Sequence, residues 1–431
     1  MKIDKITARA TPDTRGRPTV ETTLTCGELS ATASVPSGES TGTHEAVELR
    51  DADGSVTRAI ENVNSEIADA VIGRDFSSLD ELDTFLIKLD GTPNKSRLGA
   101  NAILSVSIAA MRLSAFQEGT FLWESIAKRM SGRRGFFESV PSAATSAHAE
   151  WRVRNERNAL EKSSPTASYS SPHLFVNVIN GGVHANFRLP FQEYMLVVEG
   201  ETSVALPIAQ KAFAKLGQML GSDVPMGDEG GYAPKFDTLE KPFEILAELV
   251  KEFQDTSIAV DVAASQLFHD GSYKMLGTSY SADELSALYR EFVERFPLTS
   301  IEDPYDENMP GDFTRITAEV GNKILIVGDD LTCTNPILIN DAIQNKAVNA
   351  VLIKPNQIGT VMEAIKAVQE TQSAGFKVIA SHRSGETNDT FIADFAYGVG
   401  AYGIKAGGLG QRERLEKYDR LLAIEHEAKT V

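Results

Sequence analysis

The sequence predicts an α/β protein: a barrel of alternating strands and helices in the second half, preceded by a smaller α+β domain. Three observations predict it. Six short apolar runs in the second half each lead into a polar residue: Asp261, Glu302, Asp329, Lys354, the group Ser381-His382-Arg383, and Lys405. Stretches of helical periodicity separate these runs, as expected of parallel strands joined by crossover helices. The first 36 residues instead alternate apolar and polar in the strand manner, and helical patterns follow.

Taken in order, strands are expected over Ile3 to Ala10, Thr19 to Thr25 and Leu29 to Val35, divided by turn signals at Arg15-Gly16-Arg17-Pro18 and Cys26-Gly27-Glu28. Helices are expected over Val56 to Val71, Leu79 to Leu89 and Asn101 to Gln117. The stretch 131–172 loses all periodicity and is rich in Ser, Ala and Arg; it reads as a linker or insertion, with a short helix around Ala147 to Lys162. Beyond it, helices are expected over Val204 to Leu220, Pro242 to Gln254, Ala282 to Arg295, Asn335 to Gln344, Thr360 to Ala374 and Thr390 to Gly398. The expected organisation is an α+β domain over 1–130, the linker over 131–172 and the barrel over 173–431.

Composition narrows the function. A formal net charge of -18 argues against nucleic acid or an anionic membrane surface as the main partner. No run approaches the roughly 18 apolar residues of a membrane span, and the N-terminus lacks an apolar signal core. Two cysteines far apart, Cys26 and Cys333, suit a reducing compartment, and a cytoplasmic protein is expected.

Barrels of this type carry their chemistry at the C-terminal ends of the strands. Asp261, Glu302 and Asp329 end three successive strands, and hard oxygen ligands suit Mg²⁺. A lone strand-end acid would more often cap a helix or meet an arginine; three in consecutive units favour a metal. Lys354 ends the next strand, where desolvation and a nearby metal would favour the neutral amine of a general base. The other reading is a lysine paired with one of the acids. Glu229, in a Gly-rich loop, and Glu193 are candidate acids opposite that base. Arg383 and Ser384 offer donors to a phosphate. Ser40, in Ser37-Gly38-Glu39-Ser40-Thr41-Gly42, lies on a loop that could carry it onto a metal or phosphate.

Together the segments Ser37-Gly-Glu-Ser-Thr-Gly, Leu98-Gly-Ala-Asn-Ala, Asn180-Gly-Gly-Val-His-Ala, Gly227-Asp-Glu-Gly-Gly-Tyr-Ala-Pro, Ser300-Ile-Glu-Asp-Pro, Val327-Gly-Asp-Asp-Leu, Asn356-Gln-Ile-Gly-Thr and Ser381-His-Arg-Ser-Gly-Glu-Thr resemble the enolase family. The resemblance spans nearly the whole chain except 131–172. It implies an α+β capping domain and an eight-stranded barrel modified at its first turns. It implies reversible dehydration of 2-phosphoglycerate to phosphoenolpyruvate in glycolysis and gluconeogenesis, with two Mg²⁺. By the resemblance, Asp261, Glu302 and Asp329 hold one Mg²⁺ and Ser40 reaches the second. Lys354 is the base, and Glu229, supported by Glu193, protonates the leaving hydroxyl. Lys405 meets the substrate carboxylate, Arg383 and Ser384 take the phosphate, and His184, Gln192 and His382 complete the pocket.

The chain departs from the family pattern at several places. Glu39 stands where a small residue is usual; its side chain either faces solvent, the favoured outcome, or pairs with a nearby cation and retunes the site for another substrate. Gln266 stands for a Glu, Asn186-Phe187 alters the His184 loop, and Gln411-Arg412 replaces Arg-Ser. A homodimer is implied, with Arg9 and Glu413 retained for one intersubunit ion pair; for the other, Glu21 is present but Ala423 replaces its arginine. Two alternatives stay open: a diverged relative acting on a phosphono-carboxylate, as a carboxyphosphonoenolpyruvate synthase does, and a non-catalytic binding protein on the same fold.

Overall fold

The computed structural model describes residues 1–39, 42–132 and 170–430. The first domain opens with an antiparallel meander, β1 (Lys5–Pro12), β2 (Pro18–Cys26) and β3 (Leu29–Ser34). The helix Ala100–Glu118 packs on β2 and β3 and is buried along most of its length, which explains its Ala- and Ser-rich sequence. The expected helix from residue 56 forms as Thr57–Asn62, a π-helical segment Val63–Ile67 and Ala68–Val71 run together. A further helix, Leu122–Gly132, carries the chain past the point where the sequence pattern placed a linker. Most of 131–172, including the helix expected around Ala147 to Lys162, lies outside the described residues.

A closed barrel follows. It is built from β4 (His173–Asn180), β5 (Glu193–Val198), β6 (Thr256–Asp261), then, beyond a small three-stranded sheet of β7 (Phe268–His269), β8 (Ser272–Met275) and β9 (Thr278–Tyr280), from β10 (Leu298–Glu302), β11 (Leu325–Gly328), β12 (Ala350–Ile353), β13 (Lys377–Ser381) and β14 (Gly403–Lys405). All six apolar runs read from the sequence are strands of this barrel. The two strands before them were not read, and one breaks the parallel rule. β5 runs antiparallel to both β4 and β6. The register pairs Glu193 with Asp261 on one side and Asn180 on the other. An antiparallel strand begins at the mouth where its neighbours end, so Glu193 joins the site as a first strand residue, not a last one.

Inside the barrel, Phe175, Met195, Val197, Ala259, Val327, Ala350, Leu352 and Ile379 form a separate apolar plug. The alternate residues face the surrounding helices. The helices Pro310–Val320 and Arg412–Ala428 also escaped the sequence reading, and the one expected to reach Gln254 ends at Val250.

Three sets of contacts among the described residues help seat the first domain on the barrel. Ser37 and Gly385 exchange backbone hydrogen bonds of 2.8 and 2.9 Å at the mouth. Arg112 makes a two-pronged contact of 2.7 Å per arm with Asp389, which also accepts the Ser34 N–H. Farther out, Trp123 packs edge-on against Tyr397 and donates to Glu427 at 3.0 Å. Ser37, on the loop after β3, is thereby held at the barrel mouth.

Candidate active site

Five of the strand ends deliver their side chains as expected. Asp261, Glu302, Asp329, Lys354 and Lys405 are all buried at the mouth or nearly so. His184, Gln192, Glu193, Glu229, Asp261, Lys354, His382, Arg383, Ser384 and Lys405 line one cavity, together with Ser381. Its volume is about 20 Å³, room for little more than a water. Two larger clefts, about 810 and 750 Å³, lie elsewhere and share none of these residues, so chemistry rather than size marks the site. Ser40 lies outside the described residues.

The small volume has a structural cause: the charged groups are paired with one another. The Lys405 ammonium sits 3.0 Å from both oxygens of Glu302, 2.8 Å from Glu193 and 3.8 Å from Asp261. Lys354 lies 2.5 Å from Asp329. Arg383 makes a double contact with Glu45, 2.9 and 3.1 Å, and reaches Asn356 at 2.9 Å.

Burial is the largest influence on the Lys354 ammonium and pushes it down; the charges of Asp329 and Glu302 together hold its pKa above the usual lysine value. Lys354 thus pairs with Asp329, the second of the two readings open to it; the neutral amine is the expectation for a site with a metal bound beside it. The acids nearby show the converse strain. Burial, only partly offset by Lys405, and the charges of Glu193 and Asp329 push Asp261 up to about 6. Burial and Asp261 push Glu302 well above the carboxylate range. Three buried carboxylates on adjacent strands, mutually repelling and compensated by two lysines, are a donor set that fits a divalent cation. Among the described residues, the groups whose ligand atoms all lie within 4.8 Å of one another are His184 with Glu193 and Glu229, and Asp303 with Asp329 and Asp330, the second sharing Asp329 with that set.

The acid end is equally defined. Burial and the neighbouring charge of Glu193 push Glu229 well above the usual range. Burial pushes Glu193 up too, but Lys405 and the hydrogen bond from Glu229 together hold it below the usual range. The two neighbouring carboxyls are thus pushed in opposite directions, Glu229 up and Glu193 down. Asn177 of β4 donates to Glu229 at 3.0 Å, and the Gly408 N–H donates to its carbonyl at 2.7 Å. The Glu229 loop is pinned by Gly231 N–H on Asn180 Oδ1 at 3.0 Å and by Asp228 N–H on the His184 carbonyl at 3.1 Å.

The histidines are neutral. Burial pushes His184 down to about 4 and, with Arg414 adding to it, His382 well below its usual value. Arg414 donates to His382 Nδ1, so the ring proton sits on Nε2, 3.7 Å from Glu229. Gln192 donates to Asp261 at 3.2 Å, and Gln266 donates to Gln192 Oε1 at 3.0 Å. The amide at 266 thus supplies a hydrogen to the Gln192 carbonyl, which a carboxylate could not.

Several site residues escaped the sequence reading. Asp303 accepts the N–H groups of Asp329 at 2.9 Å and Asp330 at 2.8 Å, fixing the loop that follows β11. Gln357 donates to Asp329 at 2.9 Å and accepts from Thr334 at 2.6 Å, whose hydroxyl also receives the Lys354 N–H at 2.8 Å. Glu386 accepts the Arg383 N–H at 3.1 Å and pairs with the buried Lys417 at 2.7 Å. Their motifs held the clue: Asp303 directly follows Glu302, and Glu386 closes the Ser381-to-Glu386 run. Arg414 and Glu45 gave no such signal, being ordinary charged residues until packed.

Glu39 follows the second of its two expected courses in pairing with cations, while keeping 30% side-chain exposure. Its carboxylate does not simply face solvent; it bridges Arg15 at 3.2 Å and Arg17 at 3.3 Å.

A lysine and a carboxyl pushed towards its protonated form line one cavity beside carboxylates suited to a metal, the groups needed to take one proton from a substrate once the lysine is released from Asp329 and to give another to a leaving group. The class is that of barrel lyases that work next to a carboxylate. Residues 3–126 match the enolase N-terminal domain and residues 168–430 the enolase C-terminal TIM barrel domain. A protein of Ehrlichia canis (strain Jake) named enolase is 39% identical over 442 residues, an alignment that covers 99% of this chain and 96% of that protein. The chain belongs to the enolase family, and its activity is that of a phosphopyruvate hydratase, a lyase.

Proposed function

We propose that the mouth carries out the reversible dehydration of 2-phosphoglycerate to phosphoenolpyruvate, as a step of glycolysis and gluconeogenesis, with these side chains in defined roles. The observation that carries the reading is the one buried cavity that Lys354 lines together with Glu193 and Glu229, where burial and the charge of Glu193 push Glu229 up. A protonated carboxyl is what a departing hydroxyl needs, and the ionised partner beside it raises its pKa.

Lys354 takes the proton α to the substrate carboxylate. Its present bond to Asp329 keeps it protonated, so its role as base requires that Asp329 turn to another cation. Asp261, Glu302 and Asp329 would hold Mg²⁺, and Ser40 would reach a second. Bound there, Mg²⁺ supplies positive charge that offsets the added negative charge on the substrate carboxylate as the proton leaves. Lys405 meets that carboxylate after releasing part of its hold on Glu302. Arg383 and Ser384 take the phosphate, and the Arg383 guanidinium must exchange Glu45 for it. His184, Gln192 and His382 fill the pocket walls.

The test is phosphoenolpyruvate formation from 2-phosphoglycerate with and without Mg²⁺. An inactive, folded, Mg²⁺-saturated protein would end the reading.

A cytoplasmic setting is supported by two free cysteines, Cys26 half-buried and Cys333 buried. Among the described residues no helix is long and apolar enough to cross a membrane. A homodimer belongs to the same proposal, joined by Arg9 to Glu413 across the interface. Within the chain Arg9 already meets Glu21 at 2.6 Å, so that contact competes with the intersubunit pair. Sedimentation of the purified protein decides between one chain and two.

A further inference from the structure

The phosphate end of the mouth carries a carboxylate that the proposed reaction does not use. Arg15 is nearly buried and fully engaged. Its Nε and Nη2 lie on Asp13 at 3.1 and 2.8 Å, and Nη2 also reaches the Ser37 carbonyl at 3.2 Å. Its Nη1 faces two groups at once: Glu39 Oε2 at 3.2 Å and Ser384 Oγ at 3.3 Å. Ser384 is a residue assigned to the phosphate, so a phosphoryl group on it comes within reach of Arg15 Nη1, where Glu39 already sits.

The loop is close to the other phosphate donor as well. A Cβ at Gly38 would stand 2.1 Å from Arg383 Nη2, so this segment lies directly on that guanidinium. Of the acids at this end, Asp13 is fully buried and Glu45 nearly so, whereas the Glu39 side chain keeps 30% exposure and is the one free to yield. Its charge also extends inward: burial and then Glu39 push the Asp228 carboxyl up.

We infer that Glu39 is an internal counter-ion that competes with the substrate phosphate for Arg15, so that the Glu39–Arg15–Arg17 triad sets affinity for the phosphoryl group without entering proton transfer. This rests on the assignment of Arg383 and Ser384 to the phosphate. Arg17, the more exposed arginine, holds part of the Glu39 charge and so limits the repulsion.

The two partners then give effects of opposite sign. Replacing Glu39 removes the competitor, so E39Q lowers KM for 2-phosphoglycerate and lowers the inhibition constant of inorganic phosphate. Replacing Arg17 leaves Glu39 less compensated, so R17N raises both. Partly exposed pairs of this kind imply changes of about two- to fivefold. In both variants kcat and deuterium exchange at C2 at saturating substrate stay near wild type.

The experiment measures KM, kcat and phosphate inhibition for wild type, E39Q, E39A, E39D and R17N at two ionic strengths. Opposite shifts for E39Q and R17N that shrink at high salt, with wild-type behaviour restored in part by E39D, support the inference. Increases of KM in both E39Q and R17N would make the triad a mere loop anchor and overturn it, as would unchanged KM in E39Q. A wild-type protein inactive on 2-phosphoglycerate would instead strike at the proposed function, which keeps the two failures distinct.

Discussion

The two ends of the mouth are built differently. The proton-transfer end is made of residues fixed to the barrel: Glu193, Asp261 and Glu302 on strands, Lys354 just past a strand end, and Glu229 on a loop tied to β4. The phosphate end is made of residues on loops from both domains: Arg383 and Ser384 from the barrel, Arg15, Glu39 and Glu45 from the cap. Strand ends hold a side chain within a rigid ladder, which suits atoms that must meet a proton at hydrogen-bond distance. Loop-borne ion pairs can exchange partners, which suits an anion that must enter and leave. The difference teaches that rate should be written in the first region and affinity in the second.

That division can be broken. The largest effect is expected from Lys354→Ala. Loss of a positioned base lowers the rate by about 10²–10⁴-fold or more, and deuterium exchange at C2 of 2-phosphoglycerate should fall with it. Exchange near the wild-type rate in this variant would remove Lys354 from the role and with it the argument that the rigid end holds the chemistry.

Next comes Glu45→Ala. It leaves the buried Arg383 guanidinium without its two-pronged partner, and such a loss destabilises by about 3–5 kcal/mol. If Arg383 is a phosphate group's partner, added inorganic phosphate should restore part of the melting temperature. Equal loss with and without phosphate would mean that this end does not bind anions.

Glu229→Gln sharpens the first region from inside. The amide cannot donate an acidic proton, so dehydration should drop by about 10²-fold or more while C2 exchange persists. If both fall together, acid and base are not separable and the assignment of Glu229 is wrong.

The smallest of the set is Asp303→Asn. Asp303 touches the loop that follows β11 only through the N–H groups of Asp329 and Asp330. Outer partners of this kind change metal affinity by about 10–100-fold, read as a shift in the Mg²⁺ concentration for half-maximal rate with kcat recovered at saturation. An unaltered Mg²⁺ dependence would place the positioning of Asp329 elsewhere, with Gln357 the remaining candidate.

Much of this was legible in the residues. A strand that is buried on both faces is a short apolar run, and its last residue is forced into the mouth. That rule located Asp261, Glu302, Asp329, Lys354 and Lys405 from sequence, and motif resemblance supplied Glu229, His184, Arg383 and the rest. β4 and β5 were missed as strands although both are apolar. Their direction, which places Glu193 at the mouth, depends on which neighbours they pair with, and no local pattern records that.

The protonation states lay beyond the sequence for a related reason. A pKa follows from what surrounds a group in space. The sequence left Lys354 two readings, a neutral base beside a metal or a lysine paired with an acid, and only the fold shows Asp329, from another strand, 2.5 Å away. Glu39 was open to solvent or to a cation, with solvent favoured, because Arg15 and Arg17 precede it on a different turn. The sequence by itself determined most of the elements, the six barrel strands that end at reactive groups, the family and most of the reactive groups, because periodicity and motifs are local. Only the tertiary structure decided which charges share a proton, which are tied to each other and which way β5 runs, because each depends on groups far apart in the chain meeting at distances of a few ångströms, where burial and Coulomb interactions compete.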